Sequence, residues 1–465
     1  MLRLCDFDRR FGRREFLRVG GLTLGGLALS DLLAARSAAA QSGRLVTDKS
    51  VILLFLHGGP SQFETFDPKM SAPAEVRSVT DEVATRIPGV TFGGTFPRLA
   101  SLADKLTVVR SFTTGDANHD IKPIVCRDSL GANIGSIYSR VAGSNHPATG
   151  IPTNVALYPQ AIDTGALPAV KNFGDFEATG ALGKSVAPFV PAGKGEMQQA
   201  MRLELPLARL DDRRAILRQV DRLRWGADAG GLSDGVDRLR EQAFRVILGS
   251  VADAFDVNKE DAATLARYDT SRLIHPDSIS KRWNNNKNYR DHTQTLGKLL
   301  LLARRLCEAG CGFVTVTTSF VWDMHADDNN AGVAEGMGYM GLPLDYALSA
   351  LFEDLAARGL DDRILVVVCG EMGRTPRLNA RGGRDHWGNL APLLLYGGGL
   401  PKGQVIGQST RDGGEPLAER VTIKNLLGTI LHTLLDTGEV RVAGGVPTEI
   451  NRLLAEAEPI AGLMS

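Results

Sequence analysis

The residues of this chain that can do chemistry fall into four groups, each just beyond a short apolar run. In chain order they are His57, then His119 with Asp120, then Asp323 with His325, then Glu371 with Arg374, Asp385 and His386; they hold four of the eight histidines. Mixed imidazole and carboxylate sets suit zinc, manganese or iron. Two such ions about 4 Å apart can clamp the attacking and leaving oxygens of an ester under hydrolysis. Three hydroxyls are candidate nucleophiles, Thr113, Thr114 and Ser61, and water activated on a metal is the fourth candidate. Arg374 offers anionic oxygens a fork of donors.

The elements that must position these groups are legible as buried strands. Ile364 to Cys369 is a continuous β-branched apolar run closed by Gly370, the pattern of a strand covered on both faces of a parallel sheet. Glu371, Arg374, Asp385 and His386 follow it, where open α/β sheets place their ligands. Leu390 to Tyr396 is a second apolar run, ended by three glycines. The loop of about twenty residues between the two is long for a compact domain, and such loops are functional or disordered. Ser50 to Leu56 empties into His57, Leu106 to Phe112 leads to the His119 group, and Phe313 to Thr318 leads to Asp323. Thr153 to Leu157 is a further strand. Helices are expected at Phe96 to Ala103, Asn133 to Val141, His292 to Ala309, Gly341 to Arg358 and Ile423 to Leu435. This alternation predicts a mostly parallel, doubly wound sheet, whose strands bring their carboxyl ends to one edge. The strands at Val51, Leu106, Phe313 and Ile364 are therefore expected in one sheet, with the four groups converging at that edge.

The stretch from about 160 to 287 differs in character. It is poor in strand-forming residues, with helix-period runs at Leu203 to Arg224 and Leu232 to Leu248, and it reads as a mainly helical insertion whose charged faces are solvated. The first forty residues read as a leader to be set aside from the fold. Arg13 and Arg14 open a twin-arginine pattern, followed by a glycine-rich apolar run from Val19 to Leu33 and the cleavage candidate Ala38 to Ala40. That run is too short to span a membrane comfortably, so the expectation is a single domain from about 45 to 465, exported to the periplasm by the twin-arginine (Tat) pathway without a transmembrane anchor.

Composition narrows the partners. A chain of 465 residues with 43% hydrophobic and 23% charged residues is an ordinary globular protein, and its formal net charge of zero gives no basic excess for nucleic acid. The five cysteines, Cys5, Cys126, Cys307, Cys311 and Cys369, show neither CxxC zinc pairs nor the density of a disulfide scaffold.

The strings HGGPSQFETFDPK, GDANHD, WDMH, GEMGRTP and GRDHWGN, with the twin-arginine leader and ARRLCEAGCGFVTV, resemble the exported bacterial family numbered fifteen-oh-one among the domains of unknown function. That family is grouped with the alkaline phosphatase and sulfatase superfamily. The resemblance implies an alkaline-phosphatase-like α/β fold with a two-metal site at its strand ends. By it, Asp323 and His325 match an Asp and His metal motif, Glu371 stands where a later-strand Asp usually lies, His386 matches the final His ligand, and His57 replaces the first-strand acid. A formylglycine sulfatase would need Cys or Ser followed at two and four residues by Pro and Arg; the nearest segment, Ser71-Ala72-Pro73-Ala74-Glu75, ends in Glu. With the resemblance added to the residues, two functions are expected: a metal-dependent hydrolase of phosphate or sulfate esters, whose partner would be a small anionic ester, or a binding or scaffold protein on the same fold.

Overall fold

Alternating side chains of β-branched and large apolar residues give each central strand two buried faces, and a seven-stranded sheet results. The computed structural model describes residues 45–191 and 250–464. The leader, with Arg13, Arg14 and Cys5, and the expected helices at 203–224 and 232–248 lie outside the described residues. The sheet strands are β1 (Ser50–Phe55), β2 (Leu106–Val109), β3 (Asn154–Leu157), β4 (Phe313–Thr317), β5 (Ile364–Cys369), β6 (Leu393–Gly397) and β7 (Gln404–Ile406). Their order across the sheet is β7-β2-β6-β5-β1-β4-β3.

At the centre, β1 pairs in parallel with β5 (Phe55 opposite Cys369) and with β4 (Phe55 opposite Thr317), and β3 pairs in parallel with β4. Strand β6 is the one reversal, antiparallel to both β5 and β2. The chain between β5 and β6 holds no crossover helix, so it returns from the edge it has just reached. Two successive reversals leave β2 running with β5, and the strands at Val51, Leu106, Phe313 and Ile364 share a carboxyl edge as expected. The sheet is mostly parallel and flanked by helices, in agreement with the expected fold class.

Both faces are packed. Ile52, Leu54, Val366 and Val368 point to the side covered by α1 (Pro97–Ser101), α3 (Asn286–Glu308) and α4 (Val333–Ala357). Val51, Leu53, Phe55, Leu365 and Val367 point to the side of α2 (Ile134–Ala142), α5 (Ile423–Leu434) and α6 (Thr448–Glu456). This period-two division is the doubly wound arrangement.

Three local departures have physical reasons. The run Leu106 to Phe112 is broken after Val109: the Arg110 guanidinium turns aside to the carbonyls of Phe66 and Thr91, and Phe112–Thr113 pairs separately with Val421–Thr422. Helix α4 begins at Val333, well before Gly341, because its glycines serve packing and do not break it. A Cβ at Gly336 would lie 2.8 Å from the Met324 sulfur, and one at Gly341 would lie 2.5 Å from Thr95 Oγ1. Finally, Glu260, in the stretch expected to carry solvated charges, is held at 3.0 Å by the buried Arg304 of α3, whose Nε also lies 3.1 Å from Asp354 of α4. Residues 160–191 and 250–285 otherwise show loops, 3-10 turns and helices of one or two turns.

His292, on α3, is 1% exposed, with its ring edge-on to Trp322. Burial pushes its pKa down to about 3, against about 6.5 in an unfolded chain. Between those values the unfolded chain binds a proton that the folded chain refuses, so stability falls as pH drops below 6.5 and is unaffected above it. His292→Leu should reduce the stability lost between pH 7 and pH 5 by about 2 kcal/mol, at about 1.4 kcal/mol per pH unit. Urea unfolding at the two pH values checks this; equal losses in both proteins would refute it.

Candidate metal centre

The four groups meet because glycines let their loops touch. Beyond β1, Gly58 has a φ of +116°, and a Cβ there would lie 2.6 Å from the amide nitrogen of Asp323. The turn after His57 therefore lies against the chain leaving β4, where the Trp322 amide donates to the His57 carbonyl at 3.1 Å. In the GRDHWGN segment, a Cβ at Gly383 would lie 2.1 Å from the His325 carbonyl oxygen, and one at Gly388 would lie 2.3 Å from backbone atoms of Asp116. These two glycines dock the His386 loop onto the loops of His325 and His119. The long connection after β5 is folded on itself as a short antiparallel ladder, with His386 opposite Arg374.

Asp323 is the hub. Its Oδ1 lies 2.8 Å from His325 Nε2, 3.3 Å from His386 Nε2 and 2.7 Å from Arg374 Nη2, and its Oδ2 lies 3.5 Å from His119 Nε2. The two facing imidazole nitrogens, His325 Nε2 and His386 Nε2, are 2.7 Å apart. One donor atom from each of His119, Asp323, His325 and His386 falls within 4.8 Å of the others. Four donors about 2.05 Å from one zinc ion would be roughly 3.3 Å apart, so the trio of Asp323, His325 and His386, with separations of 2.7, 2.8 and 3.3 Å, is slightly tighter than a ligand set and would spread a little around an ion.

The outward ring nitrogens are also held. His119 Nδ1 faces Glu371 Oε1 at 3.0 Å, and His325 Nδ1 faces Asp385 Oδ1 at 3.2 Å. A carboxylate on the far nitrogen fixes the tautomer that points the other nitrogen inward, which is how metal-binding histidines are oriented. Glu371 and Asp385, expected among the ligands, thus stand behind two of them. The Gly58 amide donates to the same Glu371 oxygen at 2.8 Å. The other oxygen, Oε2, and His57 Nε2 are both buried with no hydrogen-bond partner among the described residues.

Charge follows geometry. Burial acts to raise the pKa of Asp323, but hydrogen bonds from His119, His325 and His386 and the charge of Arg374 outweigh it and hold the carboxyl well below the usual range. Burial likewise acts against protonated His119, yet Asp323 and Glu371 raise its pKa. For His386 burial wins, aided by the charges of Arg374 and His119, and its pKa is lowered. His57, 1% exposed and edge-on to Phe173, Phe176 and Phe320, is pushed by burial down to about 4 and is neutral near pH 7.

Other candidates are not among the four converging donors. Asp120 is half exposed and paired at 2.7 Å with Lys122, which also binds Asp116. Thr113 and Thr114 direct their hydroxyls to the carbonyls of Val421 and Gly388, and Ser61 donates to Glu64. Arg374 requires a correction. It is 1% exposed, and its donors are occupied within the chain: Nε by Gly59 O at 2.7 Å, Nη1 by Arg384 O at 3.1 Å, and Nη2 by Gly58 O and Asp323. A guanidinium so committed braces the ligand loops and offers no fork to a substrate.

Sequence reasoning missed the supports. Arg384, fully buried, spans to Glu64 at 3.1 Å, stacks over Phe63 and caps the carbonyls of Val76 and Arg77. Gln62 clasps the backbone of Arg374 through both ends of its amide, at 2.8 and 2.9 Å. Both lie in strings that were legible as motifs, but a buried support and an exposed polar residue look alike in one sequence.

Fold and site together describe a doubly wound α/β protein with an imidazole and carboxylate centre at its carboxyl edge. The chain belongs to the family described as Protein of unknown function (DUF1501), whose profile matches residues 48–454. No curated protein matches it in sequence. Among solved structures it is similar to the PsFucS1 sulfatase from Pseudoalteromonas sp., at 12% identity and a TM-score of 0.38, with 92% of this chain and 76% of that one covered. It is also similar to the phosphonate monoester hydrolase SpPMH from Silicibacter pomeroyi, at 12% identity and a TM-score of 0.33, covering 83% and 73%. At these values the likenesses say nothing about the chemistry of this chain.

Arg374→Met should cost about 3–5 kcal/mol of stability, because it leaves Asp323 and several buried carbonyls unpaired. Thermal unfolding checks this. A stable variant with full metal content and weakened phosphate or sulfate binding would instead restore the guanidinium as an anion site.

Proposed function

We propose that the protein is an exported metal-dependent hydrolase of phosphate or sulfate esters. The observation that carries this reading is the convergence of His119, Asp323, His325 and His386 on one point at the carboxyl edge of the sheet. These donors fit zinc best, with manganese and iron compatible. A bound divalent ion supplies Lewis acidity toward an ester oxygen. The chain does the rest: Glu371 and Asp385 aim two imidazoles inward, Arg374 fixes the Asp323 carboxylate, and the phenylalanines beside His57 keep water from that flank. The two-metal form of the proposal places a second cation at His57 and Glu371. It is supported by the two buried atoms there without partners, His57 Nε2 and Glu371 Oε2. Since Thr113, Thr114 and Ser61 are all engaged elsewhere, the attacking group in this proposal is water.

The same engagement of the hydroxyls favours a second reading, a binding or scaffold protein whose centre holds a metal without turnover. Asp323→Ala, His325→Ala and His386→Ala should each lose most of the metal that the unaltered protein retains, measured by elemental analysis. The unaltered protein should cleave members of a phosphate and sulfate ester panel in a metal-dependent manner. Wild-type metal content in all three variants would sink both readings, whereas metal retention without any turnover would leave the second.

Export belongs to the proposal as well. No described helix is long and apolar enough to cross a membrane. Changing Arg13 and Arg14 both to Lys should trap the precursor in the cytoplasm, read by cell fractionation. Normal export of that variant would remove the twin-arginine assignment.

A further inference from the structure

Asp323 has a second, quieter support. Its Oδ2 accepts a hydrogen bond from Asn330 Nδ2 at 3.3 Å, and Asn330 Oδ1 in turn accepts one from Asn285 Nδ2 at 2.7 Å. The direction of this relay is forced. Turning the Asn330 amide over would set its oxygen against a carboxylate and its NH2 against another NH2. Asn330 is 2% exposed and its bond to Asp323 is buried, so solvent does not replace that bond.

The relay is anchored at both ends. Asn285 sits immediately before α3, and the segment it belongs to is zipped to the loop after His325. The Asn284 amide donates to Asp328 O at 3.2 Å, the Asn285 amide to Asn329 O at 3.1 Å, and Asn284 Nδ2 to Asn329 Oδ1 at 2.8 Å. Beyond it, the Ala331 amide donates to the hydroxyl of Tyr289, on the first turns of α3, at 3.0 Å. The start of α3 thus fixes the amide of Asn330, and that amide fixes the rotation of the Asp323 carboxylate. With Oδ2 held, Oδ1 is the oxygen presented to His325 and His386.

We infer that Asn330, locked by Asn285, is a positioning residue that sets the orientation of Asp323 for metal binding. The inference rests on the metal-centre reading above. Partners behind a ligand typically change metal affinity 10- to 100-fold when removed. Asn330→Leu keeps the volume and removes both bonds; Asn285→Ala removes only the outer one.

The test uses the full chain. Affinity for Co²⁺ is measured by competition with a chelator, together with the visible absorption of the bound cobalt, which reports ligand geometry, and the unfolding temperature of the metal-free protein. Asn330→Leu should weaken cobalt binding at least tenfold and alter its absorption, and Asn285→Ala should do the same to a smaller degree. Neither should shift metal-free unfolding in proportion, which separates positioning from simple loss of fold. Wild-type affinity and absorption in Asn330→Leu would overturn the inference and leave the metal centre standing. Should Asn330→Leu fail to fold, unchanged affinity and absorption in Asn285→Ala would overturn it equally. An unaltered protein that binds no cobalt, zinc or manganese overturns the metal-centre reading itself, and this inference with it.

Discussion

A single buried carboxylate organises this end of the molecule. Asp323 accepts from Arg374 and Asn330 and faces the ring nitrogens of three imidazoles, so residues from four separate stretches of chain are defined relative to its two oxygens. An isolated carboxylate in so dry a place would be protonated. It stays ionised because its partners are themselves held: Arg374 by carbonyls of the β1 turn and the Gln62 amide, His119 by Glu371, and His325 by Asp385. Remove the carboxylate and each partner loses its reason to face inward. The centre is therefore better understood as one network than as a set of separate ligands.

The sheet makes that network possible through its edge. Parallel strands β1, β4 and β5 deliver His57, Asp323 and Glu371 to one side without these residues being near in sequence. Strand β6 must then start at the same edge, which explains why the connection before it can be long, folded on itself and rich in function. Lateral spacing is set by glycine contacts, since Gly58, Gly383 and Gly388 each leave room for another loop's backbone where a methyl group would not fit. The loops are in this sense keyed to one another, and a ligand's position is decided by a neighbour's missing side chain.

Much of this was legible in the sequence, and the boundary has a physical meaning. Apolar runs such as Ile364–Cys369 announce themselves because burial on both faces leaves no polar position. Their shared edge followed from the parallel order, and His119, Asp323, His325 and His386 followed from residue type. What the sequence did not disclose was direction. Glu371 and Asp385 have the chemistry of ligands but each turns one oxygen to the back of an imidazole, leaving Glu371 Oε2 without a partner among the described residues, and Asp120 turns to Lys122. Arg374 has the chemistry of an anion clamp and is consumed by carbonyls. The start of α4 at Val333, eight residues before the expected Gly341, was likewise not disclosed, because the side chains packed against Gly336 and Gly341, Met324 and Thr95, come from distant segments. Each of these depends on a partner distant in sequence, and a single chain carries no local trace of such a partner.

The fate of Arg374 bears on how the centre can meet an anionic ester. The converging donors include the Asp323 carboxylate and are backed by those of Glu371 and Asp385, and among the described residues the Arg374 guanidinium is the fixed cation paired with Asp323. With its N–H groups occupied, it balances part of that charge without presenting a binding face. Lys122, the nearest lysine to His119 in sequence, is likewise spent on Asp116 and Asp120. A phosphate or sulfate approaching such a centre meets carboxylates in excess, and the repulsion between like charges in a partly desolvated site is large. The same excess attracts a divalent cation, whose charge then reverses the local balance toward the ester. On the proposed hydrolase reading, recognition of an anionic ester would therefore be conditional on metal binding, because Arg374 and Lys122 are already engaged within the chain.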